Sequence, residues 1–344
     1  MSALDRLPPG LRGLAFRILG ILIPLLILPC VLLATVLRRI IGLRAHPGWT
    51  FGQEVAFTSM HLGGRSGIGA DPRFLQRIFV DPPKAWRLPG CDRVDAQVAG
   101  RHAEVTTPQG MAADAPTILY LHGGGYGFCS PATHRGLCAD LARTSRMRVV
   151  ALDYRLAPQH PFPAALDDAA AAWRELCQGS TGPMFVAGDS AGGGLSLALT
   201  LRLRDGDERL PTAVFAMSPW TDLTMAGPTH AEWAHLDYLP YPQLQSLAAA
   251  YVGDADRRSP LISPLHADLS GLPPILVQYG GAEVLRWDSE EFVRRAQAAG
   301  SPVEGSMGEG MIHVYQALAQ LLPQGRQALR EAGAWLKAKA ADVD

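Results

Sequence analysis

Two short glycine-rich stretches carry residues able to do chemistry. Gly188-Asp189-Ser190-Ala191-Gly192 has the spacing G-x-S-x-G, with an apolar run at Met184–Ala187 before it and a stretch of helical composition, Ala191–Arg204, after it. A strand-to-helix turn of this kind holds a serine strained and exposed, and small neighbours let strand and helix approach. Ser190 is the nucleophile this predicts. His122-Gly123-Gly124-Gly125 follows a second apolar run, Thr117–Leu121. A glycine run lets backbone N–H groups converge on an anionic oxygen, and with the N–H of Ala191 it predicts an oxyanion hole. The other use of such a loop, cradling phosphate, calls for a following Lys-Ser/Thr pair that is absent here. The chemistry expected is attack of a serine oxygen on a carbonyl carbon.

Such groups need a rigid frame. From about Val94, short β-branched and apolar runs alternate with helical segments, the signature of a parallel sheet with crossover helices. The strand candidates are Thr117–Leu121, Arg148–Leu152, Met184–Ala187, Ala213–Met217 and Ile275–Tyr279. Their nearly continuous apolar character predicts strands covered on both faces. Helical stretches are Ala164–Cys177, Ala191–Arg204, Asp288–Ala299 and Gln324–Lys339. Thr221–Tyr251, rich in His, Trp, Tyr and Pro, breaks the rhythm as an insertion, and Gly42–Cys91 reads as short helices and loops.

In order along the chain, HGGG, Asp153-Tyr154-Arg155-Leu156-Ala157-Pro158 and GDSAGG resemble the bacterial hormone-sensitive lipase family of α/β-hydrolases. The similarity extends from about Tyr120 to Val314 and includes Ser218-Pro219-Trp220-Thr221-Asp222-Leu223, Ser263-Pro264-Leu265 and Met311-Ile312-His313. It implies an α/β-hydrolase fold: a mostly parallel central sheet, helices on both faces and a helical cap. The corresponding organisation is an N-terminal hydrophobic segment at 1–45, an N-terminal part of the cap at 46–93, and a catalytic domain at 94–344 with a cap insertion near 221–251. The resemblance also implies Ser190 as nucleophile, Gly123, Gly124 and Ala191 as oxyanion donors, and His313 as general base. The triad acid falls on Glu283, because the family's D-x-L-x-D segment reads Glu283-Val284-Leu285-Arg286-Trp287 here; Asp288, one place beyond the family's second Asp, is the alternative by a shift of register. Gln159 stands where the family usually has Glu, and Cys129 where it usually has Gly.

The activity implied is serine carboxylic ester hydrolysis of short- to medium-chain acyl esters through an acyl-enzyme, with no cofactor and no metal. Two alternatives stay open: an amide or N-acetyl deacetylase of the arylacetamide type, and a non-catalytic ligand-binding protein on the same fold. The partner expected is a small hydrophobic ester. With 31 Lys+Arg against 32 Asp+Glu there is no basic stripe for nucleic acid. Ile18–Leu37 runs without a charge between arginines that include Arg17, Arg38, Arg39 and Arg44, a length matched to a bilayer core. It predicts membrane association, on an unassigned side; the alternative is a greasy helix packed on the protein's own surface, which would leave the chain cytoplasmic. Homodimer formation also stays open.

Overall fold

The five apolar runs are strands in the computed structural model, which describes residues 27–65, 72–78, 89–111, 115–180 and 182–342. They are β3 (Thr117–Leu121), β4 (Arg148–Leu152), β5 (Met184–Asp189), β6 (Ala213–Met217) and β7 (Ile275–Gly280), joined by β1 (Cys91–Val98), β2 (Arg101–Pro108) and β8 (Val303–Gly308). The sheet order is β1-β2-β4-β3-β5-β6-β7-β8. Strands β3 to β8 run parallel; β1 and β2 form an antiparallel hairpin, and β2 is antiparallel to β4.

Alternation along the central strands fills two cores. Leu119, Leu121, Val186, Val214 and Val277 face one, covered by α5 (Ala164–Gln178), α6 (Ala191–Asp205) and α9 (Arg286–Ala298). Ile118, Tyr120, Phe185, Phe215 and Met217 face the other, covered by α4 (Arg135–Ser145) and α10 (Pro323–Ala341). The hydrophobic effect therefore acts on both sides of the sheet, which is why these runs are continuous instead of alternating. A buried Arg135–Glu104 pair, 2.7 Å at Nε, ties α4 to β2.

The N-terminal part splits between two places. Helix α1 (27–40) and α2 (Phe51–Arg65) lie by the C-terminal loops: Trp49 Nε1 donates to the Gly310 carbonyl at 2.5 Å, and Trp49, Phe57, Met311 and Ile312 share a third core. Helix α3 (Pro72–Ile78) packs on α8 (Tyr241–Val252), which follows the short α7 (Thr229–Glu232) within the insertion. Of Ile18–Leu37, residues 18–26 lie outside the described residues. The rest forms most of α1, seated by Val31 and Thr35, with Leu33, Leu37, Ile40 and Ile41 exposed. Among the described residues no helix is long and apolar enough to cross a membrane. Arg39, read as a flank of that segment, instead bonds Glu54 Oε2 at 2.8 Å and the Trp49 carbonyl at 2.8 Å, fixing α1 to α2.

Candidate active site

The carboxyl ends of β3, β5, β6, β7 and β8 open into five loops, the position where parallel α/β sheets place ligands. These loops carry the HGGG run, Ser190, Ser218, Glu283 and His313.

Ser190 sits between β5 and α6 at φ 54°, ψ −121°. This conformation costs an L-residue about 1–3 kcal/mol and persists only when its surroundings over-determine it. Here the Ser190 N–H donates to Met217 O at 2.8 Å, and its carbonyl accepts the N–H groups of Gly194 and Trp220, each at 3.0 Å. Helix and strand meet with no room to spare: a Cβ on Gly192 would lie 2.0 Å from the Leu121 oxygen and 2.5 Å from that of His122. Gly192→Ala is thus expected to destabilise the fold by about 1–3 kcal/mol through overpacking against backbone that cannot move alone. Chemical denaturation would measure it, and an unchanged midpoint would contradict this contact.

Asp189 organises the oxyanion loop from below. Its Oδ1 accepts the Tyr120 hydroxyl at 2.5 Å and the Gly123 N–H at 3.0 Å, and its Oδ2 lies 3.3 Å from His134 Nε2. Burial alone would raise its pKa, but the charge and hydrogen bond of His134, with the Tyr120 hydroxyl, outweigh burial and hold it low. The Gly123 N–H, expected from the sequence to be an oxyanion donor, is the one that bonds this carboxylate. A Gly123 N–H engaged by a buried carboxylate does not point at an incoming oxygen. The N–H groups of Gly124 and Gly125 have no protein acceptor among the described residues, and neither does that of Ala191 at the first turn of α6. Gly124 holds φ +109° and Gly125 φ +57°, backbone shapes that glycine adopts without a Cβ penalty. The first histidine of the run, His122, is buried, stacks on Tyr154 at 4.3 Å and is pushed down to about 3 by burial and by neighbouring His134. It is a neutral packing residue.

His313 and Glu283 meet in the interior, Nδ1 to Oε1 at 3.8 Å, longer than a hydrogen bond and within ion-pair reach. Burial would depress the His313 pKa; the Glu283 carboxylate, followed by those of Asp237 and Asp189, outweighs burial and raises it. The other oxygen of Glu283 accepts the Ser218 hydroxyl at 2.7 Å and the Gly280 N–H at 2.9 Å. Asp288 turns elsewhere: its Oδ1 accepts the N–H groups of Thr221 and Asp222 at 3.1 and 2.9 Å, bracing the loop after β6. Of the two acids weighed from sequence, Glu283 lies beside the histidine.

Sequence reasoning passed over two residues here. Ser218, known only as part of Ser-Pro-Trp, bridges Glu283 to the Val314 N–H, which it accepts at 3.1 Å. Asp237, from the insertion, accepts the N–H of His313 itself at 3.3 Å. Gln159, where a charge was expected, exchanges amide hydrogen bonds with Gln76 of α3, whose Nε2 also reaches the Gly127 carbonyl at 2.8 Å. Arg155 pairs with Asp168 at 2.8 Å.

A family model described as the alpha/beta hydrolase fold matches residues 118–317, more than half of the chain. The chain belongs to the α/β-hydrolase family. Within it, the hydrolase is of the bacterial hormone-sensitive lipase type. It is 43% identical over 227 residues to an acetyl-hydrolase of Streptomyces hygroscopicus, covering 65% of this chain and 76% of that one. It is 35% identical over 261 residues to an esterase of Acinetobacter venetianus, covering 75% and 84%. A crystal structure of an esterase from the bacterial hormone-sensitive lipase family superposes with TM-score 0.72 at 35% identity, covering 91% of this chain and 98% of that one. The hydrolase is a carboxylic ester hydrolase, and its fold is the α/β-hydrolase fold expected from the sequence.

Proposed function

We propose that the hydrolase cleaves short- to medium-chain acyl esters with Ser190 as nucleophile, His313 as general base and Glu283 as the acid that orients it. The observation carrying this reading is the buried His313–Glu283 pair, on the loops after β8 and β7, at the same carboxyl edge of the sheet as the strained serine after β5. His313 takes the Ser190 proton as the oxygen attacks the ester carbonyl. The tetrahedral oxyanion is received by the N–H groups of Gly124, Gly125 and Ala191. The alcohol leaves with the proton held on His313, and water, deprotonated by the same imidazole, releases the acid. Because His313 must be neutral to accept a proton and its pKa is raised, activity rises with pH through a limb above the ordinary histidine value.

Chain length is set by what covers the serine. Helices α3 and α8, which we assign to the cap, lie over the oxyanion loop: a Cβ on Gly127 would meet Leu247 at 2.8 Å and Pro72 at 3.2 Å. So close a roof favours short acyl groups, as does the likeness to an acetyl-hydrolase. The exposed Leu33, Leu37, Ile40 and Ile41 of the α1 region, beside Arg38 and Arg44, support a further reading that this end rests on a lipid surface. One experiment tests these points together: p-nitrophenyl esters from two to sixteen carbons, with the matching anilides, with and without anionic vesicles. Turnover is expected to be highest at about two to eight carbons and to fall by roughly tenfold or more at sixteen. Vesicles are expected to bind the enzyme without altering that order. Preference for the anilides would replace the esterase reading with a deacetylase one, and failure to sediment with vesicles would remove the lipid surface.

A further inference from the structure

Asp237 lies in the cap insertion, yet its buried carboxylate bonds the backbone of both loops that carry the proposed base and acid. Its Oδ1 accepts the N–H of His313 at 3.3 Å and that of Tyr238 at 2.9 Å. Its Oδ2 accepts the N–H of Val284, the residue next to Glu283, at 2.9 Å. The Asp237 carbonyl, in turn, is held from α2 by His61 Nδ1 at 2.7 Å, and the Tyr238 ring stands 5.9 Å from the His313 ring. A single side chain of the insertion therefore fixes the relative position of two loops separated in sequence.

We propose that Asp237 is a positioning residue of this hydrolase: the cap sets the separation of His313 from Glu283 through it, and its negative charge helps hold the imidazolium formed when Ser190 attacks. The inference rests on the assignment of Ser190, Glu283 and His313 made above. Three backbone donors converge on this carboxylate, two of them from the loops of His313 and Glu283, and each stabilises the ionised form. Burial, the largest influence, and the facing Glu283 carboxylate nevertheless push the Asp237 pKa up to about 6, while His313 and the Val284 and Tyr238 N–H groups oppose them. The titratable groups facing His313 are Glu283, Asp237, Asp189 and the Tyr238 ring, and those facing Asp237 include Glu283, Tyr238 and His61 of α2. Of the three carboxylates near this base, Asp237 is the one delivered by the insertion.

Asp237→Asn keeps the size but removes the charge and one of the two acceptor oxygens. Measured on full-length protein and normalised to the fraction labelled by a fluorophosphonate, kcat is expected to fall roughly 10- to 100-fold with KM within about twofold. The acidic limb of kcat/KM is expected to move to lower pH by about half a unit or more, because an anion has been taken from beside His313. If Asp237→Asn does not fold, His61→Leu, which releases the Asp237 carbonyl, carries the test: kcat should fall about threefold or more, and His61→Asn, whose amide can donate from the same place, should restore it. An unmoved limb in folded Asp237→Asn, or equal turnover in the two His61 variants, would overturn the role. A wild-type protein that takes no fluorophosphonate would instead overturn the triad assignment on which it rests.

Discussion

Ser190→Ala is expected to lower turnover of p-nitrophenyl acetate by about 10⁴- to 10⁶-fold while leaving the fold as stable as before. The reason lies in what holds residue 190. Its left-handed backbone is fixed by main-chain bonds to Met217, Gly194 and Trp220, none of which involves the hydroxyl. Alanine retains the Cβ and hence the same backbone preference, so the turn and the proposed oxyanion donors of Ala191, Gly124 and Gly125 remain in place. Removal of the nucleophile leaves only transition-state stabilisation by those donors, which by itself supports a residual rate well above that of water. Steady-state kinetics, fluorophosphonate labelling and thermal melting on the same preparation check the three parts. A variant that still takes the label, or that loses activity only in step with a lowered melting temperature, would mean that another residue attacks the ester.

The parts of this site that were legible in the sequence are those in which local backbone chemistry and function coincide. Ser190 and the HGGG run are contiguous, and the turns they make need small residues at fixed offsets. The central strands were equally plain, since β3, β4 and β6 are buried along their whole length or nearly so. Strands β1 and β8 were not, because an edge strand mixes exposed charges such as Asp92, Asp95 and Glu304 into its pattern and gains its order from pairing. Which glycines donate to the oxyanion could not be read from three adjacent glycines. Gly123 is set apart from the other two by Asp189, whose carboxylate reaches back 66 residues to its N–H. Ser218 and Asp237 were hidden for the same reason: each acts through contacts 47 to 96 residues away along the chain, and neither sits in a local pattern that announces a role. The choice between Glu283 and Asp288 belongs to this class too, since a register of five residues in sequence becomes two different directions once α9 begins.

That choice predicts opposite outcomes for two conservative substitutions. In Glu283→Gln the oxygen that accepts both Ser218 and Gly280 must remain an oxygen, because an amide nitrogen cannot accept either bond. The new –NH₂ then takes the place of Oε1 and faces His313 Nδ1. An N–H aimed at Nδ1 favours the tautomer that carries its proton on Nε2, the nitrogen that has to receive the serine proton, and it removes the charge that stabilises imidazolium. By analogy with amide replacement of the acid in serine proteases, where turnover falls about 10⁴-fold, kcat of Glu283→Gln is expected to fall roughly 10³- to 10⁴-fold at neutral pH. Asp288→Asn should differ. Burial and the facing Asp222 carboxylate raise the Asp288 pKa, and an asparagine oxygen can accept the Thr221 and Asp222 N–H groups as Oδ1 does now. Its kcat should stay within about threefold of wild type, any loss being one of stability on the order of 1 kcal/mol. Burst and steady-state kinetics on both variants distinguish the two acids: a thousandfold loss in Asp288→Asn with an active Glu283→Gln would transfer the orienting role to Asp288 and require the α9 N-terminus to turn toward His313 in the working enzyme.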